Sequence, residues 1–209
     1  QFLRKARRLL TVLADQSSIS STLRCAADLA VANGELLSAE TLYDQAAGSE
    51  TPAQERIARR IGLASLAMSR GENRRAQRLI ESQEQSHGSQ IIQGNRQRRL
   101  ADLAAREGRP EQAASHARHA LLAYGRGGAP IAVGHIHRVL GDLAASSGAI
   151  ADAWGHYMSA LHLHLQLQDY RGLVRTVDRI SLLEEVSGRS DKASQLRATA
   201  AEIETGARI

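Results

Sequence analysis

The chain has 209 residues and a formal net charge of +5, with 43% hydrophobic and 23% charged residues. It can bury the core of one or two domains, or of one elongated repeat array, so wholesale disorder is excluded. Aromatic residues make up 3% and there are three prolines, which argues against β-sandwiches and barrels, since these lean on aromatic and β-branched residues. No apolar run approaches the roughly 20 residues that a bilayer demands, and no charged start precedes a short apolar stretch. The lone Cys25 excludes an internal disulfide framework and fits a reducing compartment. An all-helical, cytoplasmic chain is expected.

Elements follow in chain order from an internal repeat. Phe2 to Gln16 reads as the second helix of a unit whose first helix is missing, with Ala6, Leu10 and Leu13 at helical spacing. This makes the chain read as part of a longer protein. Five segments then align without gaps, at 27–39, 64–76, 101–113, 141–153 and 181–193. In each, a Leu precedes a Gly by five residues and an Ala follows that Gly by five. The leucines are Leu29, Leu66, Leu103, Leu143 and Leu183. The glycines are Gly34, Gly71, Gly108, Gly148 and Gly188, at spacings of 37, 37, 40 and 40. Such periodicity marks a repeat protein.

Each unit reads as a helical hairpin. Leu100, Leu103 and Ala104, or Leu140, Leu143 and Ala144, fall at helical spacing in helix one. The Gly ends that helix because it tolerates the left-handed conformation of a C-terminal cap. The Ala in helix two permits a close helix contact, Tyr43, Ile80 and Tyr157 supply larger knobs, and Ala46, Ala120, Ala160 and Ala200 keep the contact tight. The units are placed at 20–53, 57–90, 94–127, 134–167 and 174–207, after a half repeat at 1–16. Longer stretches join them at 47–53, 84–94, 124–134 and 168–172. Stacked neighbours must bury each hairpin's apolar stripe.

These residues resemble a tetratricopeptide repeat (TPR) array. The best match runs from His137-Arg138-Val139-Leu140-Gly141 through Ala144, Gly148, Ala153, Tyr157 and Ala160. The resemblance implies an all-α, right-handed superhelical solenoid of five full repeats and a leading half repeat, forming one array over 1–209. The helix-one aromatic is missing, the repeat-ending Pro is mostly absent, and the period exceeds 34. Such long units resemble the MalT-like helical arrays at the C-termini of bacterial signal-transduction ATPases and transcription activators. The stretch from Leu165 to Gly172, with Gly188-Arg189 and Leu196 to Glu204, resembles the end of such a protein.

Charge is uneven along the chain. Residues 1–52 carry 5 basic and 6 acidic side chains, 53–109 carry 12 and 6, and 110–209 carry 10 and 10. The basic middle could attract a phosphate backbone or an acidic protein face, or could be a solvated helix face. Aromatic stacking platforms for single strands are nearly absent, so direct nucleic-acid contact by 53–109 is the alternative reading.

No Walker A sequence, GxSxG elbow or HExxH stands in the chain, and no enzyme activity or cofactor is expected. Gly125-Arg126-Gly127-Gly128-Ala129-Pro130 follows no strand and reads as an inter-repeat loop. The eight histidines lie between His87 and His164, with no converging ligand set visible, so no metal is expected. Cys25 reads as a small core or half-buried residue, and Trp154 and Tyr157 as packing.

One pattern stands out. An Arg precedes an Asp by four residues in three first helices: Arg24/Asp28, Arg98/Asp102 and Arg138/Asp142. An intrahelical pair would contribute about 0.2–0.5 kcal/mol, and Arg before the acid is the weaker orientation. In TPR-like arrays these positions line the concave groove, which Arg106, His135, Arg175 and Asp178 would share. A mixed Arg/Asp groove suits an extended peptide or protein domain, with Arg offering bidentate contacts. The expected function is a non-catalytic protein-, peptide- or effector-binding scaffold, as the sensor or regulatory region of a bacterial transcription regulator, or a free-standing adaptor.

Overall fold

The structure is a computed structural model that describes residues 16–47, 53–81 and 89–206. The half repeat expected at 1–16, most of the joining stretch at 47–53, and His87 lie outside these residues. Ten helices and no strand occur among the described residues: α1 (Gln16–Ala32), α2 (Leu36–Gln45), α3 (Ala53–Ser69), α4 (Asn73–Glu81), α5 (Gln90–Arg106), α6 (Pro110–Arg126), α7 (Pro130–Ser146), α8 (Ile150–Gln166), α9 (Tyr170–Val186) and α10 (Ser190–Gly206). None of them is long and apolar enough to cross a membrane.

All five repeat glycines adopt the left-handed conformation, with φ between +70° and +79°. The turn at Gly148 shows why. Its N–H bonds the Ala145 carbonyl at 3.1 Å and the Ala149 N–H bonds that of Ala144 at 2.9 Å, closing two carbonyls that the helix leaves open. The same pair of bonds recurs between units. Gly128 (φ +65°) closes α6, and Gln168 closes α8 at φ +54° despite its side chain.

The joins placed at 124–134 and 168–172 are therefore tighter than expected. Gly125 and Arg126 are helical, and only residues 127–129 separate α6 from α7. Helix one begins at Gln90, Pro130 and Tyr170, four residues before the boundaries set at 94, 134 and 174. The missed start signals are a Ser89 cap that accepts from Ile92 N, Pro130 at the first helical position, and an Asp169 cap.

The chain forms two compact units, residues 1–107 and 108–209. In the first, α1 packs on α2 and α3, and α3 on α4 and α5. In the second, α7 packs on α6, α8 and α9, and α9 on α8 and α10. The helix-two alanines Ala39, Ala76, Ala113, Ala153 and Ala193 are all fully buried, as are Tyr43 and Ile80, while Tyr157 keeps only 2% of its surface.

The repeated leucine packs backward. Leu66 of α3 joins Ala27, Ala39 and Tyr43 of the hairpin before it; Leu103 of α5 joins Ala64, Ala76 and Ile80; Leu183 of α9 joins Ala153 and Tyr157. Each buried Leu withdraws apolar surface at about 25 cal/mol per Å², so stacking holds successive hairpins together. Leu29, in the first described hairpin, is 47% exposed.

An acidic residue supports the last hairpin. Glu184 is fully buried and ion-paired to Arg189 and to Lys192, whose Nζ lies 2.8 Å away. Lys192 and Arg189 hold its carboxyl below the ordinary 4.5, against the opposing effect of burial. The unfolded chain therefore takes up the proton first. Stability from this pair is complete above about pH 4.5 and is lost as pH falls through the lower native value. Thermal melts between about pH 3 and 5 should show a shallower slope for Glu184→Gln than for the wild-type chain; equal slopes would contradict this reading.

Candidate functional site

The three Arg/Asp motifs have different fates. In α7, Arg138 Nη1 lies 3.3 Å from Asp142 Oδ2, while the Tyr157 hydroxyl of α8 donates to Asp142 Oδ1 at 2.9 Å. Arg179 of α9 brings its Nε within 3.4 Å of the same Oδ1. In α1, Arg24 pairs with Asp28 at 3.0 Å and with Glu55 of α3 at 2.6 Å, and the Tyr43 hydroxyl donates to Asp28 Oδ1 at 2.5 Å. Thus Arg, Asp and Tyr form the same triad twice, with Tyr fifteen residues after Asp.

The third motif differs. Residue 117 is Ala, so Asp102 has no tyrosine at that spacing, and its ion pair is to Arg99 at 3.4 Å. The intrahelical alternative of an Arg98/Asp102 ion pair is thus not met in this helix. Arg98 is half-buried and its Nε has no partner. Arg106 reaches instead to the Met68 carbonyl at the end of α3, at 2.8 Å.

Electrostatics around Asp142 are lopsided. Burial lowers the pKa of Arg138; Asp142 opposes this, while Arg179 and Arg175 add to it. Two guanidinium groups, Arg138 and Arg179, thus flank one carboxylate that a tyrosine already engages, and Arg175 adds positive charge beside Arg138. Burial and Asp142 together raise the Tyr157 hydroxyl above its ordinary range, and burial and Asp28 do the same for Tyr43. Arg175 and Asp178 are exposed on α9, so their side chains remain open to a partner.

Basic residues of the first unit are less solvated than their charge pattern suggests. Arg59 donates to the Tyr43 carbonyl at 2.6 Å, and Arg70 to Glu40 at 2.7 Å. Arg59 and Arg106 meet carbonyls near helix C-termini, where the helix dipole favours a cation. Arg74, Arg75 and Arg78 are exposed on α4.

The histidines, by contrast, come together in two places. His137 and His156 approach through their Nδ1 atoms at 3.2 Å, and burial lowers both pKa values. They line a cavity of about 610 Å³ with Arg118, Leu140, Leu143 and Asp152. His135, on the other side of α7, lies with His164 and Asp169, all three donor atoms being within 4.8 Å of one another. Helix spacing alone could not find this set, because its members come from α7, the last turn of α8, and the cap of α9. Cys25 is exposed, correcting the expected core or half-buried placement: α1 turns it away from the stripe made by Leu23, Ala27 and Ala30.

No protein-family model matches the chain, and neither does any curated protein. Among solved structures, BtubC (BKLC) from P. vanneervenii is similar with a TM-score of 0.71 and 19% identity, covering 99% of this chain and 88% of that one. The nearly identical TPR-like repeats of a Podospora anserina protein described as a kinesin light chain give 0.61 and 16%, covering 90% and 95%. MamA gives 0.55 and 15%, covering 87% and 96%. The chain has an all-α, TPR-like fold of helical hairpins.

Proposed function

We propose that the chain is a non-catalytic protein-interaction scaffold whose second unit binds an acidic, extended protein segment along the first-helix face of α7 and α9. The observation that carries the reading is the excess of positive charge at one tyrosine-engaged carboxylate: Arg138 and Arg179 both pair with Asp142, and Arg175 and Arg179 both act on Arg138. Arg forks match carboxylates bidentately, and two of these three side chains are exposed. Role as the sensor region of a cytoplasmic bacterial transcription regulator belongs to the same proposal and rests on the resemblance to MalT-like arrays.

Arg59, Arg70 and Arg106 are committed to contacts with neighbouring helices, which favours the protein-binding reading over nucleic-acid contact by 53–109. The test is fluorescence anisotropy with labelled Glu/Asp-rich and Lys-rich peptides of equal length. The acidic peptide should bind, more weakly as salt rises. Arg175→Glu with Arg179→Glu should lose more than about tenfold in affinity, since each reversal exchanges attraction for repulsion, while the circular dichroism melt stays in place. Equal binding by wild type and double variant would overturn the proposal.

A further inference from the structure

His164 occupies an unusual position for an imidazole. It is fully buried in the last turn of α8, its Nε2 has no hydrogen-bond partner, and its Nδ1 meets only the carboxylate of Asp169. Buried polar atoms are paired in the great majority of cases, so an imidazole with one open nitrogen and one carboxylate neighbour asks for an explanation. Room for it is made by two glycines: a Cβ at Gly134 would stand 2.9 Å from its Cε1, and one at Gly172 would collide with its Nδ1 edge.

What the ring faces is a carboxylate held in place. Asp169 caps α9, accepting from Gly172 N through Oδ1 at 3.0 Å. Its other oxygen, Oδ2, is buried and without a hydrogen-bond partner, although His164 Nδ1 lies 2.8 Å away and His135 Nε2 3.8 Å away. His164 and Asp169 thus form a close buried ion-pair contact that His135 flanks. The two rings tilt at 44° with centroids 4.9 Å apart.

We propose that His135, His164 and Asp169 form a binding site for a divalent transition-metal ion, with Zn2+ as the reference occupant. Bonds of about 2.0–2.2 Å place tetrahedral donors about 3.3 Å apart; the two contacts to Asp169, at 2.8 and 3.8 Å, lie on either side of that separation, and all three donors fall within 4.8 Å of one another. Adjustment falls to His135, whose side chain is 31% exposed. Two imidazoles and one carboxylate suit Zn2+, Ni2+ or Co2+ better than Mg2+ or Ca2+, which prefer oxygen donors. The Oδ1 cap orients the carboxylate as an outer-shell partner would, and the C-terminal turn of α8 favours a cation. Three protein ligands leave a fourth position for water or an outside donor. Occupancy would join the ends of α7, α8 and α9.

The test uses the full chain without an affinity tag, titrated with Zn2+ by calorimetry and with Co2+ by visible absorption. One Zn2+ per chain should bind, the Co2+ complex should show ligand-field bands, and a chelator should reverse both. His135→Ala alters a part-exposed residue and Asp169→Asn keeps the Oδ1 cap, so both should stay folded by circular dichroism. Each should weaken Zn2+ binding by more than about tenfold, while His156→Ala should leave it unchanged. Absence of stoichiometric binding to the wild type, undiminished binding in both ligand variants, or loss in His156→Ala alone would overturn the proposal.

Discussion

Tyr157→Ala should destabilise the chain by about 3–5 kcal/mol, the range for removing a buried aromatic side chain. Two effects add. The ring fills the space among Ala153, Ile180 and Leu183 and keeps only 2% of its surface, so truncation leaves a cavity between two successive hairpins. The hydroxyl also gives Asp142 a neutral donor at 2.9 Å, whose loss leaves that carboxylate to Arg138 and Arg179. Tyr157→Phe separates the two: it keeps the ring and should cost about 1.5–3 kcal/mol, the range for hydrogen bonds to charged groups. Urea denaturation of both variants checks the partition. If the two lost equal stability, the ring would contribute nothing and the packing argument would fail.

Gly148→Val should lower stability by more than about 1–2 kcal/mol, the cost of placing an L side chain in the left-handed region, with β-branching adding to it. Space is not the obstacle, because nothing lies within 4 Å of the point a Cβ would occupy there; the φ of +79° is. Gly125→Val is the control. Gly125 is helical, also has open space around it, and has no positive φ, so Val there should be neutral or stabilising through better helix propensity. Matched thermal melts decide the matter, and an equal loss at both positions would remove the special role of the turn.

The sequence spacing carried the hairpins well, for a physical reason. The Gly and Ala positions obey hard steric demands, a left-handed turn and a close helix contact, and those demands leave the same residue in every repeat. Helix starts were legible only in part, because Pro130 and Asp169 act locally and vary from unit to unit. The Arg/Asp motifs were visible, but their tyrosines were not connected to them. The matching Asp28-to-Tyr43 and Asp142-to-Tyr157 separations held that signal. Arg179, Glu55 and the His135, His164 and Asp169 set arrive through stacking of successive units. No spacing within one helix encodes such meetings.

The backward packing of the repeated leucine has a consequence for how the chain is divided. A hairpin taken alone lacks the Leu that completes it, since Leu66, Leu103 and Leu183 are supplied by the helix that follows. The smallest self-sufficient module is thus a hairpin plus the next first helix, half a period out of phase with the repeat written in the sequence. Lengthening or trimming the array at the sequence boundaries would strand an apolar surface at the new end, whereas cuts made after a first helix would carry their own lid with them.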